Sequence, residues 1–126
     1  MIQNTPVKLT PPPTLGSAPI VHKVTELYKF IYSLSPKIPK KDRFGIYLKI
    51  ENNSLELLDM LICASLELKI NKLLLLNNAR VKTEVLKRLI RLSGDLTILG
   101  NSEYIKLETK LQEISKMING WIKYLK

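Results

Sequence analysis

The chain has 126 residues, of which 45% are hydrophobic, and 20 Lys and Arg against 11 Asp and Glu give a formal net charge of +9. This is one domain's length, enough to bury a core without disulfides or metals, and basic enough to attract polyanions, nucleic acid first among them. A single histidine, His22, excludes a His-based metal cluster or catalytic triad, and a single cysteine, Cys63, excludes an intramolecular disulfide.

Residues 1–19 hold five of the seven prolines, Pro6, Pro11, Pro12, Pro13 and Pro19. Little there can bury apolar surface, and Pro11–Pro13 favours polyproline II, so the expectation is a disordered, Pro-rich N-terminal tail. No charged segment followed by a long apolar run opens the chain. The longest leucine run, Leu73–Leu76, falls far short of the roughly 20 residues that span a bilayer. The expected location is the cytoplasm, with Cys63, among Leu61, Ile62 and Ala64, a buried inert thiol.

Residues 20–126 read as four helices with no strand pattern. Pro19 is a good first helical residue, and Val24, Leu27, Ile31 and Leu34 follow at spacings of three and four. Ser35-Pro36 and Pro39 end that helix and make a stiff basic connection. The second helix is expected from about Lys41 to Leu68, with Phe44, Leu48, Leu55, Leu58 and Ile62 inward and Ile50, Leu57 and Leu61 widening the stripe. A boundary between residues 66 and 73 has no glycine or proline to mark it, and Asn71 is a candidate cap. The third helix ends at Gly100, a candidate left-handed cap, after which Asn101 or Ser102 can cap the fourth. The fourth carries Tyr104, Leu107, Leu111, Ile114, Ile118, Ile122 and Leu125. The fold class is all-α, an up-down-up-down four-helix bundle.

The third helix has more than one bundle needs. At about 100° per residue, Leu74, Val81, Val85, Leu92, Leu96 and Leu99 form one apolar side, taken as the core side together with Leu89. Leu76, Leu86 and Ile90 lie roughly opposite, as an expected oligomer interface. Arg80, Lys87 and Arg91 make a row between them. Arg88 borders the core, and Arg91 is spaced to bridge Asp95. Lys40, Lys41 and Arg43 in the connection, with Arg80, Lys87, Arg88 and Arg91, are the candidate nucleic-acid and partner contacts. Solubilising charge on exposed faces would produce the same totals, and composition alone does not separate the two. Residues 50–68 carry Glu51, Glu56, Asp59 and Glu67 and no base.

Catalytic chemistry is hard to place. Glu26, Glu51 and Glu108 have no Glu-x-x-His partner for a di-iron bundle, and Glu51 reads as a partly buried, base-paired carboxylate. Gly45, Gly94 and Gly120 fall within helical patterns, where close helix approach is the expected compensation. Tyr104 reads as core, and Trp121 as a core or interface anchor, with base stacking the alternative. No enzyme activity, metal or cofactor is expected.

Pro39-Lys40 and Arg43-Phe44-Gly45, the run Leu55–Leu61 with Ala64, and Leu86-Lys87-Arg88-Leu89-Ile90-Arg91-Leu92 with Asp95-Leu96 form an ordered set. Tyr104 and Gly120-Trp121-Ile122-Lys123 complete it. Through these motifs residues 24–126 resemble the accessory variability determinant family of diversity-generating retroelements. Asn119-Gly120 stands where that family carries a double glycine before tryptophan. The proteins encoded by intervening sequences of large-subunit ribosomal RNA genes share the bundle and are the alternative family. The resemblance implies a non-enzymatic pentamer with a positive surface. That pentamer would bind the element's reverse transcriptase and template RNA and support mutagenic complementary-DNA synthesis.

Overall fold

A computed structural model describes residues 12–126, with side chains from Pro19 onward. Four long helices, α1 (Pro12–Leu34), α3 (Ile46–Leu66), α4 (Lys69–Asp95) and α5 (Asn101–Leu125), are joined by short connections. A 3₁₀ turn (Ser35–Lys37) and the single-turn helix α2 (Lys40–Arg43) link α1 to α3. Each long helix packs on the next, and α5 returns to α1, closing an up-down-up-down bundle with no strand among the described residues.

The helix α1 begins at Pro12 rather than Pro19, so part of the expected tail is helical; residues 1–11 lie outside the described residues. Proline is tolerated in a first turn, where its missing N–H has no intrahelical role. The inward faces of α1 and α5 match the sequence periodicity. Ile20, Val24, Leu27, Ile31 and Leu34 are buried on α1, and Leu107, Leu111, Ile114, Ile118, Trp121, Ile122 and Leu125 on α5.

The face of α4 is inverted from expectation, and that of α3 is rotated: Ile50, Leu57 and Leu61, expected to widen the inward stripe, are its buried centre. On α4 the buried residues are Leu76, Ala79, Thr83, Leu86, Ile90 and Ser93. Leu76, Leu86 and Ile90 are therefore core and not an oligomer interface, each with no exposed surface within a single copy. The stripe assigned to the core faces solvent: Leu74 is 63% and Leu92 45% exposed, with Val81, Val85 and Leu96 alongside; Leu89 is half-buried, and only Leu99 of that set is buried. Phe44, just before α3, and Leu48, Leu55 and Ile62 on it point outward and Leu58 is half-buried, while Tyr47, Ile50, Asn53, Ser54, Leu57, Leu61 and Ala64 point in. Small polar residues made the true inner faces look like surface. Each hydroxyl or amide is answered by its own helix: Thr83 Oγ1 donates to the Ala79 carbonyl, Ser93 to Ile90, Ser54 to Glu51 and Asn53 to Lys49. Satisfied in this way, such groups can be buried at little cost.

The connections also differ from expectation. Residues 41–68 do not form one helix, because the Gly45 N–H turns to the Asp42 carbonyl (3.1 Å) and separates α2 from α3. Between α3 and α4 only Glu67 and Leu68 intervene. Lys72 reaches back to the Ala64 carbonyl (2.9 Å), capping the end of α3 as its Nζ sits 6.0 Å from the Trp121 ring centroid. Leu68 rather than Asn71 is the N-cap of α4.

At the far end of α4 the left-handed residue is Thr97 (φ 55°), not Gly100, whose backbone is extended and which itself caps α5. The Ile98 N–H bonds the Ser93 carbonyl and the Thr97 N–H bonds Gly94, both at 3.0 Å, a Schellman pattern whose Ile98 packs on the core. Gly94 meets the expectation of close approach, since a Cβ there would lie 2.8 Å from the Tyr104 ring; at Gly120 the space is open, and at Gly45 the helix is broken. A β-branched residue at positive φ is strained by about 1–2 kcal/mol. Replacing Thr97 with Gly is therefore expected to raise the stability by about 1 kcal/mol in chemical denaturation, with helicity unchanged.

Candidate nucleic-acid interface

The alternating topology brings two basic groups to one end of the bundle. The connection from α1 to α3 carries Lys37, Lys40, Lys41 and Arg43, with Asp42 the one acid among them. The C-terminal half of α4, carrying Lys87, Arg88 and Arg91, runs to that same end, with Arg80 near the middle of the helix.

The candidate residues divide by what they touch. Lys40 and Lys41 are exposed and make no ion pair among the described residues. Arg43 is half-buried and turns inward, its Nη2 donating to the carbonyls of Pro36 (3.3 Å) and Ile38 (3.0 Å). It ties the connection together. Lys87 pairs with Glu84 at 3.2 Å and is largely covered. Arg88 does not border the core but is exposed among the outward stripe. Arg80 and Arg91 lie on the flank of α4 toward α5; both are exposed and make no ion pair among the described residues, so Arg91 does not bridge Asp95.

Arg91 instead stands beside Tyr104. The two residues line a cavity of about 360 Å³ with Asp95 and Asn101 at the turn between α4 and α5. The Glu108 carboxylate beside the Tyr104 phenol pushes the phenol's pKa up; partial burial adds to this and Arg91 opposes it. The opposite flank of α4 faces α3, where Lys82 bonds Glu56 at 2.6 Å and holds that carboxyl below its usual range. Two further expectations are corrected by burial. Cys63 is half-buried beside the Asp59 carboxylate rather than enclosed. Glu51 has no basic partner among the described residues, and partial burial alone raises its pKa. Trp121 is in the core at 5% exposure, which leaves it unable to stack on a base.

A family model described as bAvd-like matches residues 19–125. The chain belongs to the bAvd-like family. The match covers the bundle from Pro19 within α1 to Leu125 at the end of α5, and it agrees with the resemblance carried by the sequence motifs. No curated protein matches the chain. Among the described residues of this bAvd-like chain, no helix is long and apolar enough to cross a membrane. Nor does any group of three or more His, Cys, Asp and Glu stand ready to hold a metal ion there.

The inward turn of Arg43 separates it from its lysine neighbours. Arg43→Ala is expected to cost about 1–2 kcal/mol through the lost bonds to the Pro36 carbonyl and the part-buried Ile38 carbonyl, lowering the thermal midpoint. Lys40→Ala and Lys41→Ala are expected to leave that midpoint within error.

Proposed function

We propose that this chain is a non-enzymatic accessory subunit of a diversity-generating retroelement, a cytoplasmic bundle that assembles into a ring and binds the element's reverse transcriptase and template RNA. Five copies is the number implied by the family resemblance. In that role the assembly does no chemistry; it holds enzyme and template together during mutagenic complementary-DNA synthesis.

The observation that carries the reading is the division of the outer surface of α4. Its outward stripe is apolar (Leu74, Val81, Val85, Leu92, Leu96), while Arg80 and Arg91 stand exposed on the flank toward α5. A second outward stripe, Leu48, Leu55 and Ile62, lies on α3. Two apolar stripes on different helices suit a head-to-tail ring, in which the surface a copy presents differs from the one it receives. Charge favours the same pairing. The α3 stripe is flanked by Glu51 and Asp59, with Lys49 the one base beside it, and Arg88 stands within the α4 stripe. With the stripes covered, the basic end and the α4–α5 flank of every copy stay open to a polyanion, and repetition around a ring makes its binding avid and salt-sensitive.

Sedimentation tests the assembly. Leu55→Glu and Val85→Glu are each expected to give helical monomers at micromolar concentration, and an equimolar mixture to form a heterodimer and stop, because one intact junction remains. Leu86→Glu, in the core, is expected to unfold instead. A wild-type chain that stays monomeric at these concentrations overturns the ring.

Binding of single-stranded RNA tests the flank. Removing both guanidinium groups (Arg80→Ala with Arg91→Ala) is expected to weaken affinity and make the log–log salt dependence shallower by about one to two. Unchanged affinity would return that flank to a merely solvated face. Co-purification of the reverse transcriptase and template RNA with the chain tests the partners directly.

A further inference from the structure

The last turns of α1 place Tyr28 and Tyr32 four residues apart on one side of the helix, with ring centroids 6.2 Å apart and planes tilted by 38°. Tyr28 is half-buried, whereas Tyr32 is 65% exposed and adds little to the core. Its surroundings are polar and cationic. Tyr32 lines a cavity of about 310 Å³ with Ser35, Pro36 and Arg43. The Arg43 side of this lining does not move freely, because its guanidinium is held by the Pro36 and Ile38 carbonyls. Its Nε is buried with no hydrogen-bond partner among the described residues. The same connection that supplies Ser35, Pro36 and Arg43 also exposes Lys37, Lys40 and Lys41, none of them in an ion pair among the described residues.

An exposed aromatic ring beside a fixed guanidinium and three free ammonium groups matches a particular chemistry. The cations select a polyanion, and the ring face selects a flat π-system. In a duplex the base faces are already stacked on one another, so a protein ring reaches them only where the strand is unpaired. The cavity lies at the lower end of small-ligand sites, a size suited to one base rather than a folded partner. We propose that this cavity takes an unpaired nucleotide of single-stranded RNA, its base stacked on Tyr32 and the neighbouring phosphates held by Lys37, Lys40 and Lys41. The inference rests on the RNA-binding reading above and adds to it a preference for unpaired segments at this end of the bundle.

The test is binding of the full chain to a 12-nucleotide single-stranded RNA and to a blunt RNA duplex of the same length, each across a salt series. Tyr32→Ala is expected to weaken the single strand roughly tenfold or more, leaving the duplex affinity, the salt slope and the helicity unchanged. Tyr32→Phe, which keeps the ring, is expected to retain single-strand binding. Replacing Lys37, Lys40 and Lys41 with Ala together is expected to weaken both probes and flatten both salt slopes. Single-strand affinity untouched by Tyr32→Ala, an equal loss on both probes, or a Tyr32→Phe chain as weak as Tyr32→Ala overturns the stacking site and leaves RNA binding standing. A wild-type chain that binds neither probe overturns both.

Discussion

Everything outside the core follows from how α3 and α4 turn their small polar residues inward. Asn53, Ser54, Thr83 and Ser93 are buried, and each finds its hydrogen-bond partner in a carbonyl three or four residues back on its own helix. That arrangement removes the usual penalty for burying a polar group without using a partner from another helix. Ala64 and Ala79 keep the same faces slim. With the interior positions taken by small residues among Leu57, Leu61, Leu76, Leu86 and Ile90, the remaining large aliphatics of both helices are left on the outside. The exposed stripes are thus a consequence of how the core is filled, and they are the surfaces from which assembly is proposed.

The charges sort themselves by the same geometry. Cations that meet an acid or a carbonyl are structural: Lys82 on Glu56 ties α4 to α3, Lys23 on Glu113 ties α1 to α5, Lys72 closes the α3–α4 hairpin, and Arg43 secures the connection. Partly exposed pairs of this kind add little to stability, but each removes a positive group from the set free to meet an external anion. Among the cations of the α1–α3 connection and of α4 from Arg80 onward, those left are Lys37, Lys40, Lys41, Arg80, Arg88 and Arg91, exposed and in no ion pair among the described residues. Alternation of helix direction then gathers most of these groups at one end.

The sequence was easiest to read where a helix has one apolar stripe. On α1 and α5 the expected inward residues are buried almost without exception, because no competing stripe exists. On α3 and α4 two stripes compete, and the larger aliphatics point to the wrong one. Periodicity measures how apolar a face is, not which face a neighbour covers. A signal for the true phase was present in Ala64, Ala79, Thr83 and Ser93, which share a side with Leu61, Leu76, Leu86 and Ile90. Among the candidate site residues, Lys40, Lys41, Arg80 and Arg91 lie exposed as their charge suggested. The inward turn of Arg43 depends on carbonyls that only the fold of the connection brings near.

By itself, the sequence determined that the chain is a basic all-α bundle of four long helices and that it carries the motifs of the bAvd-like family. These follow from composition, helical spacing and motif order, all local properties of the chain. Only the tertiary structure decided which apolar stripe is core, which cations are consumed within the bundle, and that Tyr32 shares a cavity with Arg43. Each of those outcomes depends on contacts between residues on different elements, and helical spacing along one element does not record what lies across from it.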